Sequence, residues 1–441
     1  MRSWKGLVFG AALLAAGTLL ASVLTGLPAV VQKKSVTAFS KPDFGAASVG
    51  TLHHGDAVRV ANQDGLWYQI ALANGATGFV RVNEIRIAQG SATGSADTMQ
   101  ILLTGKSGQG RVTETAGVRG LNESDLQSAA FDPVQLAKMQ SYRATPESAS
   151  AYAASHGWAS TTIPWPGEAP PKGGSVSKSA VHSVTSAVGG LLGGVFGSAA
   201  KVADQATPES EAEQLQTELD LGPLIAGRVL GARPLWDNPQ AQTRVNVIGR
   251  WLASQTSRPE LPWTFGIIDD PEYNAFAAPG GYILVTRGLY EIVANDEELA
   301  SVLAHEITHV VQRDQYNVIR KQGLLSAGLQ AASEQVNTGG GVAENLARDY
   351  VEKNGAGILL TKLDRDAEYR ADAIGEVYLA RAGMNPLAMY AMLQKMAATG
   401  TANGKLEELY ATHPTIADRL NRIDERGYGA LTPYLERPVP Q

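Results

Sequence analysis

Apolar and polar positions change their rhythm along this chain, and the changes divide it. Over residues 33–88 the alternation is period two: Val58 and Val60, then Tyr68, Ile70 and Leu72, then Val80 and Val82. That pattern predicts half-buried strands, and Gly55-Asp56, Gly65, Asn74-Gly75 and Gly78 punctuate them as turns. From residue 206 the period becomes helical. Leu215, Leu219 and Leu224, then Val245, Ile248, Trp251 and Leu252, recur at three- and four-residue intervals, with Gly231 and Pro234 between them. Trp263 to Asp269 reads as a strand. Leu299, Val302, Leu303, Val310 and Val311 mark one face of a further helix. Asn295, with Glu298 three residues on, forms a capping-box pattern that starts this helix just ahead of Asp296.

Residues 89–205 carry no sustained period. Gly, Ser, Ala, Thr and Pro dominate there, and Pro164-Trp-Pro-Gly and Pro170-Pro171-Lys-Gly-Gly act as breakers. Short helical patterns at Glu123–Ala130 and Pro133–Tyr142 suggest a spacer with some helix. Ser179 to Ala200 has no formal charge and five glycines between Gly189 and Gly197, which reads as a tether rather than a membrane segment. At the N-terminus, Arg2 and Lys5 precede an uncharged run from Gly6 to Gln32. Residues 1–31 therefore read as a signal peptide, with Leu27-Pro28-Ala29 as a fair cleavage site, or as an uncleaved signal anchor. Either reading places the rest of the chain outside the cytoplasm, with the periplasm as the expected location and membrane association possible through this segment.

Composition narrows the class. A chain of 441 residues has room for two or three domains, and 44% hydrophobic with 18% charged content suits globular structure. The net charge of −6 gives no basic footprint for nucleic acid. Cysteine is absent, so there is no disulfide framework.

The candidate chemistry lies in His305-Glu306-Ile-Thr-His309, an H-E-x-x-H pattern on the helix beginning near Asp296. Two histidines four residues apart stand one turn apart and can reach one ion, while Glu306 is placed to act on the attacking water. A catalytic zinc usually takes three protein ligands. Downstream, Glu368 and Asp372 are one turn apart on a second helix pattern, with Ala371 and Ala373 small enough for close packing. Glu368 is the expected third ligand, and Asp372 the expected acceptor of a histidine's spare N–H. A solvated acidic face is the plainer alternative for such a pair. We expect one zinc per chain.

These segments together resemble the HtpX/BepA-type and CAAX-prenyl-protease-type zinc metallopeptidases, which share a minigluzincin fold. The likeness extends to Asn274-Ala-Phe-Ala-Ala-Pro279-Gly280-Gly281, similar to the family's N-A-F-x-x-P-G-G element, and to Thr412-His413-Pro414 followed by Arg419. It spans about residues 210–426. The resemblance implies an α+β fold: a mainly α-helical zincin-like peptidase domain with a small sheet, over residues 206–430. It also implies that Asn274, Pro279, Gly280 and Gly281 belong to a substrate-binding strand, with the stretch from Gly280 to Thr286 as an edge that receives extended polypeptide. Arg419 is expected to support the ligands. His413 has three open readings: a reversible fourth ligand, a hydrogen-bond donor to the developing oxyanion, or a locally packed loop residue.

Residues 33–88, with Gly-x-Trp67-Tyr and Asn-Gly-x-x-Gly78-Phe79, resemble a bacterial SH3-like (SH3b) domain, a small all-β barrel. Such domains commonly bind cell-wall or peptide ligands. Trp67 and Phe79 line a groove or fill the core, and His53-His54 reads as surface. The expected function is an exported zinc endopeptidase acting on unfolded or misassembled envelope proteins, with Glu306 as general base. The alternatives are an envelope binding or assembly factor with weak proteolysis, and a zinc amidase acting on peptidoglycan.

Overall fold

A computed structural model describes residues 26–72, 75–91, 121, 123–165, 210–331, 342–400 and 406–439. The uncharged run up to residue 25, Asn74 and the stretch Ser179–Ala200 lie outside these residues. Among the described residues no helix is long and apolar enough to cross a membrane.

The N-terminal part is a seven-stranded antiparallel sheet made of β1 (Leu27–Val31), β2 (Ser35–Phe39), β3 (Ser48–His53), β4 (Ala57–Asp64), β5 (Trp67–Ala71), β6 (Thr77–Arg81) and β7 (Ile85–Ile87). The strand order is β3-β2-β6-β5-β4-β1-β7. The sheet begins at Leu27, six residues before the boundary expected from the pattern. Leu27, Ala29 and Val31 point into the core while Pro28 and Val30 face outward, so the end of the uncharged run is itself period two. β1 pairs with both β4 and β7, and the Leu27-Pro28-Ala29 segment sits inside the sheet. Trp67 is buried, whereas Phe79 is only partly so, and His53 and His54 are exposed.

The region expected to be a spacer with short helices has helices at both of the places where the pattern put them, and a third beyond. It holds α1 (Glu123–Ser128), α2 (Pro133–Ser141) and α3 (Pro146–Ser155), and these pack on the helical domain. Asp132 and Thr145 cap α2 and α3. Gly231 lies against the Ala130 carbonyl and Gly227 against the Phe131 ring, where any Cβ would collide. Arg143 donates to the Thr264 and Tyr282 hydroxyls. Nothing local to these residues signals the docking, because its contacts fall on another part of the chain.

The helical domain runs through α4 (Glu211–Ala232), α5 (Pro239–Ala253), β8 (Thr264–Ile268), β9 (Ala275–Ala278), β10 (Tyr282–Thr286), α6 (Arg287–Glu291), α7 (Asp296–Val311), α8 (Asp314–Ala331), α9 (Val342–Asn354), α10 (Arg365–Arg381), α11 (Leu387–Gly400), α12 (Glu407–Thr412) and α13 (Ile416–Arg426). The fold is α+β. β10 lies at the centre of the three-stranded sheet, parallel to β8 and antiparallel to β9. Tyr282 to Thr286 therefore have both backbone edges occupied and cannot be the expected receiving edge. The end strand beside α7 is β9. Gly280 and Gly281 form a turn with φ of 71° and 93°, pressed against the Glu218 carbonyl and the Trp263 backbone, a conformation that glycine adopts without strain.

Among the helices that meet the sheet, α11 packs into both cores. On α11, Leu387, Ala391 and Ala398 enter the core of the seven-stranded sheet, and Gln394 bonds the backbone of Val82, Ile85 and Ile87. Met389, Met392, Leu393 and Met396 belong instead to the core around α7.

Candidate metal centre

The site is built on α7. Asn295 accepts from the Glu298 N–H and starts the helix, and Glu298 reaches back to the Ala294 N–H rather than to Asn295 itself. Nearly every side chain of α7 is buried, so His305, Glu306 and His309 are held by packing on all sides. α10 crosses α7 closely because Gly375 meets the Ala304–His305 backbone with no side chain between them. That crossing delivers Glu368 and Asp372.

His305, His309, Glu368 and His413 converge, with one potential ligand atom from each lying within 4.8 Å of the others. The Nε2 atoms of His305 and His309 are 3.2 Å apart. Glu368 oxygens stand 3.5 Å from His305 Nε2, 3.6 Å from His309 Nε2 and 3.7 Å from His413 Nε2. The other ring nitrogens are engaged. His305 Nδ1 lies 3.0 Å from Asp372 and His309 Nδ1 2.9 Å from Asp314, while His413 Nδ1 meets the Thr412 hydroxyl at 2.7 Å. An ionised carboxylate only accepts, so the two aspartates fix Nδ1–H tautomers and turn both Nε2 lone pairs toward the centre. Arg419 grips Asp372 with two hydrogen bonds, at 2.5 and 3.0 Å. Arg370 holds the other oxygen of Asp314 at 2.6 Å.

Electrostatics follow from this packing. Burial and the Arg419 charge would pull the His305 pKa down, but the hydrogen bond to Asp372 and the nearby Glu368 carboxylate outweigh them and raise it to about 9. Burial lowers His413 to about 3, against the pull of Glu368, so its imidazole is neutral and able to coordinate. Burial pushes Glu368 up, but its attraction to the His413, His305 and His309 imidazoles that face it brings it down to about 2. Burial raises Glu306 against the opposing pull of His305 and His309. Glu306 stands beside the cluster rather than in it, on the wall of a small chamber of about 30 Å³ shared with His305, His413, Arg419, Met389 and Met392.

The residues fit a metal. Both carboxylate oxygens of Glu368 are buried with no hydrogen-bond partner, an arrangement that is costly unless something else satisfies them. Two imidazole nitrogens and a carboxylate oxygen, with a third imidazole at hand, form the donor set that suits a tetrahedral zinc site.

Of the residues singled out from the sequence, the fold thus gathers His305, His309, Glu368 and His413, with Glu306, Asp372 and Arg419 around them. Asn274 is buried just ahead of β9 and bonds the Thr286 hydroxyl through its N–H, while Pro279, Gly280 and Gly281 form the turn after that strand. Asp314 and Arg370 were missed, and Thr412 was noted only as part of the Thr412-His413-Pro414 segment. Asp314 follows Arg313, a non-glycine residue with φ of 59°, and this reversal after α7 brings its carboxylate back to His309. An acid five residues beyond the second histidine was the available signal, and the turn that makes it useful has no sequence signature.

An H-E-x-x-H helix crossed by a glutamate-bearing helix defines a metallopeptidase-type centre. Residues 239–427 match Peptidase family M48, so this part of the chain is similar to that family. Among its relatives are the beta-barrel assembly-enhancing proteases of Yersinia pestis, 31% identical over 48% of this chain and 44% of the relative, and of Escherichia coli K12, 29% identical over 52% and 48%. The mitochondrial metalloendopeptidase OMA1 of Schizosaccharomyces pombe is 30% identical over 38% of this chain and 47% of its own. The chain thus spans less than half the length of each of these relatives.

Proposed function

We propose that this protein is a zinc-dependent endopeptidase, exported from the cytoplasm, that hydrolyses peptide bonds in unfolded or misassembled envelope proteins. The observation that carries the reading is the pair of orphaned Glu368 oxygens facing the Nε2 atoms of His305 and His309. His305, His309 and Glu368 would hold the ion. When bound, zinc supplies Lewis-acid polarisation and lowers the pKa of water toward neutrality. Glu306 accepts the proton of the attacking water and returns it to the leaving amine. Asp372 and Asp314 keep the histidines in the tautomer this requires. The end strand β9, whose Ala275 lines the chamber with Glu306, offers a backbone edge for an extended substrate, and such binding is largely indifferent to sequence.

Glu306→Gln tests this directly, since it removes the base and no ligand. The variant should retain zinc, measured by metal content after dialysis, and lose cleavage of unfolded casein by at least about a hundredfold, the typical weight of a general base. Wild-type rates in the variant would refute the mechanism. Purified cell wall, incubated in parallel, distinguishes a peptidoglycan amidase, and an inactive but zinc-loaded wild-type protein would favour an assembly factor.

His413 is read here as a reversible fourth ligand. Its place among the other three, with the Thr412 hydroxyl holding its far nitrogen, supports coordination over local packing.

A further inference from the structure

A cleft of about 860 Å³ opens between one end of the seven-stranded sheet and the N-terminal turn of α7, within the range of ligand sites. None of the residues of the metal centre lines it. On the sheet side Phe44, 44% exposed, packs on Trp67 with ring centroids 4.8 Å apart. The Arg81 guanidinium lies over both rings, at 5.5 and 4.9 Å, and donates to the Leu435 carbonyl. The facing wall stacks Tyr152, His156 and Trp158 in succession, at 4.2 and 4.9 Å.

Charge in the cleft is unbalanced. Its cations are engaged: Arg81 as above, Arg244 with Asp296, and Arg437 with the carbonyls of Ala380 and Met384. Its acids are less so, because Asp43, Asp64 and Glu436 make no ion pair among the described residues. At the inner end, the buried Trp158 indole N–H faces the Glu297 carboxyl.

We propose that this cleft is an exosite for extended, positively charged polypeptide segments bearing aromatic or proline residues. The ring platforms take flat apolar groups, the acidic rim takes lysine or arginine, and the rim disfavours nucleic acid and other polyanions. As an aid to cleavage the exosite rests on the endopeptidase reading, but binding is independent of hydrolysis and can be measured without it.

The test is fluorescence anisotropy on the full chain with a labelled peptide of alternating lysine, proline and tryptophan, against the same peptide with glutamate in place of lysine. The lysine peptide should bind, more weakly as salt rises, and the glutamate peptide should bind at least about tenfold less well. Phe44→Ala, at an exposed ring, should weaken binding about tenfold, the cost of one lost aromatic contact. Asp43→Lys with Asp64→Lys should weaken it at least as much, with circular dichroism verifying the fold of each variant. Equal binding of the two peptides, binding indifferent to these variants, or displacement by soluble cell-wall glycan would overturn the proposal. A protein that binds the lysine peptide but hydrolyses nothing would refute the enzyme and leave the exosite standing.

Discussion

Glu298, two turns ahead of His305 on α7, meets Lys395 of α11 with both side chains fully buried. Lys395 has no other hydrogen-bond acceptor among the described residues, and burial pulls its pKa below the ordinary value against the attraction of Glu298. Glu298 also accepts from the Ala294 N–H at 2.7 Å and from Gln63 Nε2 of the seven-stranded sheet at 3.0 Å. Breaking a buried pair from one side leaves a desolvated charge and typically costs about 3–5 kcal/mol. Lys395→Met should fall at the lower end, about 3 kcal/mol, because Glu298 keeps two donors worth roughly 1.5–3 kcal/mol each as charge-assisted bonds. Glu298→Leu strands the ammonium and both donors, so about 5 kcal/mol is expected. The double variant should cost less than the sum by about 2 kcal/mol or more, since no lone charge remains. Urea unfolding of the four proteins at neutral pH measures the cycle. Single costs under about 1 kcal/mol, the range of exposed pairs, or strict additivity would refute the picture of a shared buried charge.

Three further outcomes are expected. If His413 is a reversible ligand, His413→Ala raises casein cleavage, whereas loss of an oxyanion donor would lower it about a hundredfold; unchanged activity would leave only local packing. Asp314→Ala frees His309 Nδ1 and should weaken zinc binding about 10–100-fold in a chelator competition, with little change in fold by circular dichroism. Glu376 is pushed up to about 8 by burial, against the Arg426 charge, so the folded state holds its proton more tightly than the unfolded one. Its contribution is therefore fully present below about pH 4.5 and is lost as pH rises toward 8, at up to roughly 1.4 kcal/mol per unit. Glu376→Gln should gain stability relative to wild type across that window, and parallel pH profiles of the two would exclude the assignment.

Much of this protein was legible one segment at a time. The four-residue spacing of His305 and His309, the Asn295 cap, the period-two run through Val58 and Val60 and the helical period of α4 and α5 are local properties, set by backbone geometry within a turn or a strand. The sequence by itself therefore determined the H-E-x-x-H helix and the nomination of Glu368 and Asp372, while the α+β class and His413 came from the resemblance to a known family. Tertiary structure decided everything that depends on which surfaces meet. It put β10 at the centre of its sheet instead of the edge, drew Leu27–Val31 into a sheet at the end of an uncharged run, and seated Ala130 and Phe131 on glycines of α4. It returned Asp314 to His309 through the left-handed turn at Arg313. It also gave α11 two partners, methionines toward the metal centre and Gln394 toward the sheet. Periodicity records that a face is buried, but not against what, because burial is non-directional while the partner is chosen by shape and by buried charges that must find their counterparts.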